Sequence, residues 1–410
     1  MAGPHIVVVG ASLGGLRAVE SIRALGICSS ITVVGEEAYM PYNRPPLSKE
    51  FLKADACAGV AESLFFRMRP NLEDVTWRLG HRAQAVDLTR KRLTLSDHST
   101  VAFDAMVVAT GLRPRRLAIT GARQYRFACR TVDDAISIRN NLQPGLKVVL
   151  VGGGFIGCEL AATLSELGVS VTVIEPFGLP MERALGADMA QAFSRLHTSR
   201  GVSFRLGKSV SEIAETKRGT IEHVLLDDGE CIQADLMVEA VGSHANVEWL
   251  EGNDLDLSDG VLCDRDMRVG GLANIVAVGD VARFPNAFVD GIPRRTEHWC
   301  VPAQTAKRAA GSLAEWTGAK LERPDRFAPI PSFWSDQFGV RIQAYGSPIG
   351  VERWEVVEGS LSGETSPIGA VVAGFVGDRM SYAVAAGVPA TTAIKYQGLV
   401  ARYEPMQDRR

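Results

Sequence analysis

Apolar positions along the chain follow two rhythms, and their alternation sets the architecture. Short runs in which nearly every position is apolar, many of them β-branched, recur at 5–9, 31–34, 103–109, 147–151, 171–174, 236–240 and 275–278. Runs of that kind predict strands buried on both faces, as in a parallel sheet. Between them, 16–25, 158–167, 185–200 and 302–316 carry apolar residues at three- and four-residue spacing and predict helices. The first three end at Gly26, Gly168 and Gly201, the residue type that takes a left-handed turn past a helix end. Asp133-Asp134 is expected to cap a further helix running to about Leu142. The segments 75–86, 92–101, 202–206, 210–214, 221–226 and 231–238 read as strands, with turns at Asp97-His98 and Asp228-Gly229. Beyond about Lys320 the helical rhythm fades. Short strands near Phe333, Ile342, Trp354 and Ala370 precede one helix at 391–401, which predicts a small α+β domain.

The order of elements carries chemistry at two places. Strand 147–151 runs directly into Gly152-Gly153-Gly154-Phe155-Ile156-Gly157, then a helix, then a strand ending on Glu175, eighteen residues after Gly157. Strand, glycine turn, helix, strand and acid is the sequence of a dinucleotide-binding unit. Gly152 would allow the tight turn, Gly154 the approach of a pyrophosphate, and Gly157 close packing of the helix. The helix N-terminus would present N–H groups and partial positive charge to the phosphates, and Glu175 would accept from the adenosine ribose. The same order occurs at Gly10-Ala11-Ser12-Leu13-Gly14-Gly15, with Glu36 after the second strand and Ser12 in the middle-glycine position. Two such units in one chain imply two dinucleotides and hence electron transfer between them, a nicotinamide giving a hydride that a flavin accepts. The predicted fold is α/β: two Rossmann-like dinucleotide-binding domains, one inserted in the other, and a C-terminal α+β domain. The expected boundaries are 1–113 with 244–320 for the FAD domain, 114–243 for the NADH domain and 321–410 for the last.

Composition narrows the function further. The 410 residues carry a formal net charge of −3, which gives no electrostatic case for nucleic acid. The seven cysteines, Cys28, Cys57, Cys129, Cys158, Cys231, Cys263 and Cys300, are scattered and never spaced as CxxC. That argues against a disulfide framework, a metal site and a redox dithiol, and fits a cytoplasmic setting. Cys158 and Cys300 read as small buried hydrophobes. The N-terminus has no basic region ahead of its apolar run, and the longest apolar tract, 368–376, is far short of the roughly 20 residues that span a bilayer. Neither secretion nor membrane association is expected.

The chain closely resembles the oxygenase-coupled NADH:ferredoxin reductases of the putidaredoxin-reductase type, within the two-dinucleotide, glutathione-reductase-like flavoproteins. The resemblance rests on GASLGG at 10–15, RPPLSK at 44–49, ATG at 109–111, GGGFIGCE at 152–159, VGD at 278–280, EHW at 297–299 and FWSDQFG at 333–339. It implies that Gly10, Ser12, Leu13 and Gly14 hold the FAD pyrophosphate and Glu36 its adenosine ribose. Arg44 and Lys49 would lie along the FAD, with Lys49 reaching the isoalloxazine and pairing with Glu159; these two are the candidate catalytic residues. Ala83, Thr110, Gly111, Arg130, Asp280, Glu297, His298 and Trp299 would complete the flavin site, Asp280 at the ribityl hydroxyls and Trp299 near the pyrimidine end. Gly152, Gly154, Phe155, Ile156, Gly157, Glu159, Glu175 and Gly242 would take NADH. Glu175 would favour NADH over NADPH, since no Arg or Lys follows within 176–178. No metal is implied. The acceptor would be an acidic [2Fe–2S] ferredoxin serving an oxygenase, docked by Arg294, Arg295, Lys307 and Arg308, with the chain acting as a monomer or homodimer. A rubredoxin reductase, an NADH oxidase, an apoptosis-inducing-factor-like protein and a nucleotide-sensing scaffold share much of this pattern.

Overall fold

His5–Val9 lies at the centre of a five-stranded sheet in the computed structural model, which describes residues 3–54, 63–322, 324, 326–361 and 368–403; Cys57 lies outside them. Ser30–Gly35 and Ala105–Val108 flank it, with Thr76–Leu79 at one edge and Ile275–Ala277 at the other. All four pairings are parallel. Ile6, Val7, Val8, Ala105 and Met106 have no exposed surface, as the unbroken apolar runs require. The helices Leu13–Leu25 and Val301–Trp316 pack together on this sheet.

The second sheet repeats the plan. Lys147–Val151 is central, between Ser170–Glu175 and Leu236–Glu239, with Ser203–Leu206 and Arg126–Phe127 at the edges, again all parallel. Each unit also carries a three-stranded antiparallel sheet in the same place in its order, Ala83–Asp87 with Arg92–Leu95 and Thr100–Ala102 in the first, and Val210–Glu215 with Ile221–Leu226 and Cys231–Ile232 in the second. The third part is a five-stranded antiparallel sheet spanning Ser332–Gln337 to Arg379–Ala386, with the helix Ala390–Val400 against it. Among the described residues no helix is long and apolar enough to cross a membrane.

Several expected elements are cut where the chain changes direction. The 75–86 strand divides at Gly80, whose φ of 76° is left-handed, and its halves join different sheets. The 231–238 strand divides likewise into Cys231–Ile232 and Leu236–Glu239. The 185–200 helix becomes Glu182–Leu185 and Ala187–Ser199, broken at Gly186, where an added Cβ would stand 2.8 Å from the Trp354 ring. The helix after 130 is Val132–Asn140. Thr131 rather than Asp133 is its N-cap: its hydroxyl accepts from the Asp134 N–H while the Asp134 carboxylate accepts from the Thr131 N–H. The two nucleotide-turn helices begin earlier than their apolar rhythm suggests, at Leu13 and Phe155. Their N-caps are Ser12 and Gly154, inside the glycine turns themselves.

A candidate cofactor cleft between the two glycine turns

The two turns obey one steric rule. A Cβ on Gly10 would come within 2.1 Å of the Ala109 carbonyl, and one on Gly152 within 2.3 Å of the Ala240 carbonyl. Both glycines also sit at positive φ, 124° and 105°. Gly15 and Gly157 close the turns, their hypothetical Cβ atoms lying 1.8 and 2.0 Å from the carbonyls of Gly10 and Gly152. Gly154 differs: it has φ −73° and no described residue lies within 4 Å of its Cβ position. No contact with a described residue calls for a glycine there, so the space beside it suits a ligand. In the first unit Ser12 occupies that position, and its Oγ accepts from Arg44 Nε at 3.3 Å.

Fifteen of the residues expected from the sequence line one cleft of about 460 Å³: Ser12, Leu13, Gly14, Arg44, Lys49, Thr110, Gly111, Arg130, Phe155, Ile156, Glu159, Asp280, Glu297, His298 and Trp299. They come from both nucleotide units, and Phe333, Trp334 and Tyr382 of the C-terminal sheet join them. Gly10, Gly152, Gly154 and Gly157 shape the turns behind it. Ala83 begins the strand Ala83–Asp87 and is buried outside the cleft wall. Gly242 sits at φ 96° beside the Arg115 side chain. Glu36 is exposed beyond its strand, and its neighbour Glu37 is the engaged acid. Glu37 takes Arg44 and the Tyr42 hydroxyl, each at 2.5 Å, so Arg44 is anchored by a residue the spacing rule passes over. Glu175 is turned back on its own turn, its two oxygens accepting from the N–H groups of Gly153 at 2.6 Å and Phe177 at 2.9 Å. Arg183 lies over the exposed Phe177 ring at 4.9 Å.

Lys49 and Glu159 form the charged centre. Nζ and Oε2 are 2.7 Å apart, and the residues are only 8% and 6% exposed. Ser48 Oγ donates to the same carboxylate oxygen at 2.6 Å and Ser335 Oγ to the other at 2.7 Å. A buried ion pair survives when such donors satisfy the remaining lone pairs; removing one partner strands the other at a cost of about 3–5 kcal/mol. Burial also raises the Asp280 carboxyl above its ordinary range, an effect the Arg130 guanidinium at 3.4 Å only partly offsets. Burial pushes His298 down to about 4, so its ring is neutral. Trp299 is 41% exposed and meets Trp334 edge-on at 5.3 Å.

The cleft has the makings of a site for a large polar cofactor. Two of its residues carry buried atoms without a partner among the described residues, Arg130 Nε and His298 Nδ1. Orphaned groups of this kind cost on the order of 1–3 kcal/mol each unless a ligand satisfies them. The donor set, with a guanidinium, an ammonium and two helix N-termini, fits a phosphate-bearing dinucleotide. Among the described residues no reactive thiol faces the cleft. Cys129 is the cysteine that lines the cleft, and burial pushes it up to about 12, while Cys158 is fully buried and shifted upward too.

The expected basic docking group does not hold together. Arg308 is 8% exposed, paired with Asp266 at 2.5 Å and bonded to the Pro324 carbonyl, so it braces the 301–316 helix from inside. Arg295 is tied to Asp259 and Glu297, and Arg294 to Asp290. Lys307 is exposed. Arg341 lies over the Trp334 ring at 5.9 Å and is 3.4 Å from the Asp336 carboxylate.

Comparison with known proteins agrees with this geometry. A family profile described as pyridine nucleotide-disulphide oxidoreductase matches residues 4–308. Rhodocoxin reductase of Rhodococcus erythropolis is 33% identical over 360 residues, 87% of this chain and 81% of that one. The ferredoxin–NAD(+) reductase component of the p-cumate 2,3-dioxygenase system of Pseudomonas putida is 32% identical over 361 residues, 88% of this chain and 85% of that one. The crystal structure of a covalent putidaredoxin reductase–putidaredoxin complex superposes with a TM-score of 0.88 at 29% identity, covering 98% of this chain and 94% of that one.

Proposed function

The chain belongs to the pyridine nucleotide-disulphide oxidoreductase family, and from that premise we propose that it is an FAD-dependent NADH:ferredoxin reductase of an oxygenase system. The observation that carries this reading is the buried Lys49–Glu159 pair, set where two glycine turns open onto one cleft without a reactive thiol. Residues 1–113 with 244–320 form the FAD domain, 114–243 the NADH domain and 321–410 the C-terminal domain. FAD, when bound, supplies two-electron acceptance from a nicotinamide and one-electron release to a ferredoxin. The protein's own part is positioning. The turn at Gly10–Gly15 and Arg44 receive the pyrophosphate, Asp280 the ribityl hydroxyls, and Lys49 presents its positive charge to the ring system. The turn at Gly152–Gly157 receives NADH, and Glu175 discriminates against the extra phosphate of NADPH.

With no CxxC dithiol in the sequence, electrons would pass to an external acceptor. The reading assigns that role to an acidic [2Fe–2S] ferredoxin approaching Trp299 and Trp334, with Arg341 over the Trp334 ring as its cationic contact. The enzyme works in a reducing, cytoplasmic setting, as a monomer or homodimer. Stopped-flow mixing of the yellow protein with NADH tests the proposal. Flavin absorbance is expected to bleach within seconds, with NADPH slower by about tenfold or more, equivalent to ~1.4 kcal/mol of barrier. Ferredoxin then restores the colour, more slowly at high salt and in Arg341→Glu. No bleaching by NADH defeats the reading, and reoxidation by oxygen or rubredoxin alone moves it to the oxidase or rubredoxin reductase on the same fold.

A further inference from the structure

His197 is a fully buried histidine outside the nucleotide turns, and a line of polar groups runs from it into the cleft. It belongs to the helix Ala187–Ser199. Its Nε2 lies 2.8 Å from Gln337 Oε1. Gln337 Nε2 donates to Ser335 Oγ at 3.0 Å and meets Met181 Sδ at 3.2 Å. Ser335 Oγ donates to Glu159 Oε1 at 2.7 Å, and Glu159 Oε2 receives Lys49. Ser335 and Gln337 are two apart on the strand Ser332–Gln337 and therefore share a face. None of the five residues is more than 8% exposed.

The donors fix a direction along this line. An ionised carboxylate only accepts, so Ser335 gives its one proton to Glu159. Its lone pairs then accept from the Gln337 amide, which turns the Gln337 carbonyl toward His197. His197 must donate through Nε2, leaving Nδ1 as the unprotonated nitrogen, and Nδ1 is buried without a hydrogen-bond partner among the described residues. Burial keeps the ring neutral, pushing it down to about 4.

We propose that Ser335 and Gln337, with His197 behind them, are positioning residues that fix the Glu159 carboxylate and through it the Lys49 ammonium. The C-terminal sheet is thereby part of a site whose nucleotide turns lie in the other two sheets. Without the Ser335 hydroxyl, Glu159 draws more on its remaining donors and pulls Lys49 back from the cleft. The effect of this on a flavin rests on the function proposed above.

Two measurements test the proposal, and the first needs no flavin. In histidine-15N-labelled protein, long-range proton–nitrogen correlation reads the His197 tautomer, assigned by loss of its signal in His197→Gln. The Nε2–H form is expected in the wild type. Glu159→Gln should shift it toward Nδ1–H, because the new amide can donate to Ser335 and reverse the line. An unchanged tautomer in Glu159→Gln overturns the relay. The second measurement is the midpoint potential of the bound flavin. Ser335→Ala should lower the reduced-to-oxidised ratio at fixed solution potential about tenfold, close to 30 mV for a two-electron couple, and Ser335→Thr should restore it. A change under twofold in Ser335→Ala overturns the link to Lys49. A wild type that holds no flavin defeats the proposed function, and the tautomer result then decides the relay alone.

Discussion

The Asp280 carboxyl is held above its usual range by burial, and Arg130 at 3.4 Å does not undo this. A carboxyl whose folded pKa exceeds its unfolded value stabilises the fold below the unfolded pKa and loses that contribution as pH rises through the folded one. At neutral pH the ionised group is therefore a burden on the flavin-free protein. Asp280→Asn should raise the Tm of flavin-stripped protein at pH 7, with the gain shrinking as pH falls into the ordinary carboxylate range. The same variant should retain less flavin on gel filtration. An unchanged Tm together with full retention would leave Asp280 without the role assigned to it. Polar side chains at buried helix positions were the hardest to read, although the signal was present. Val301, Thr305, Arg308 and Ser312 repeat at helical spacing and all lie inside, so the stripe already placed Arg308 there. His197 follows Phe193 by four residues in the same way. Polarity, taken as a sign of exposure, hid both. Glu37 was passed over because a spacing rule counts to Glu36 and cannot see which way either side chain turns.

At the scale of the element, the nucleotide turns separate glycines that the fold needs from one that it does not. Gly10, Gly15, Gly152 and Gly157 have backbone carbonyls where a Cβ would go, whereas Gly154 has open space and an ordinary φ. Gly154→Ala should leave the unfolding curve of the protein unmoved and raise the KM for NADH about tenfold or more, since the methyl meets only an incoming phosphate. Gly157→Ala should fail to fold. Equal KM values for Gly154→Ala and wild type would remove that turn from the nucleotide site. The parallel strands were legible because burial on both faces leaves no polar interruption. The breaks at Gly80 and Gly186 were not. Each depends on where a distant partner lies, the Trp354 ring in the case of Gly186, and apolar rhythm alone carries no such information.

Across the whole molecule, the second nucleotide-turn unit and the C-terminal sheet are joined through a histidine that must stay neutral. His197 is held near 4 by burial, below an unfolded value of about 6.5. Stability from this source is complete above the unfolded value and drains away as pH falls toward 4, by up to roughly 3 kcal/mol. Thermal unfolding between pH 6.5 and 4.5 should therefore fall more steeply in the wild type than in His197→Gln, whatever their absolute Tm values. Parallel slopes would show that another group governs acid lability.

The first sheet takes its edge strand, Ile275–Ala277, from far beyond its other four, the last of which ends at Val108. The second sheet draws all its strands from the continuous stretch between Arg126 and Glu239. During synthesis the inserted unit has every strand it needs once residue 239 leaves the ribosome, while the unit that begins the chain stands with an open edge until residue 277 follows. Asp280 and the EHW segment emerge later still, and Phe333, Trp334 and Tyr382 of the C-terminal sheet after them, so the cleft cannot be completed around a flavin until residue 382 has been made. The unit that holds the earlier strands is thus finished after the unit inserted in it, and cofactor loading follows the closing of both.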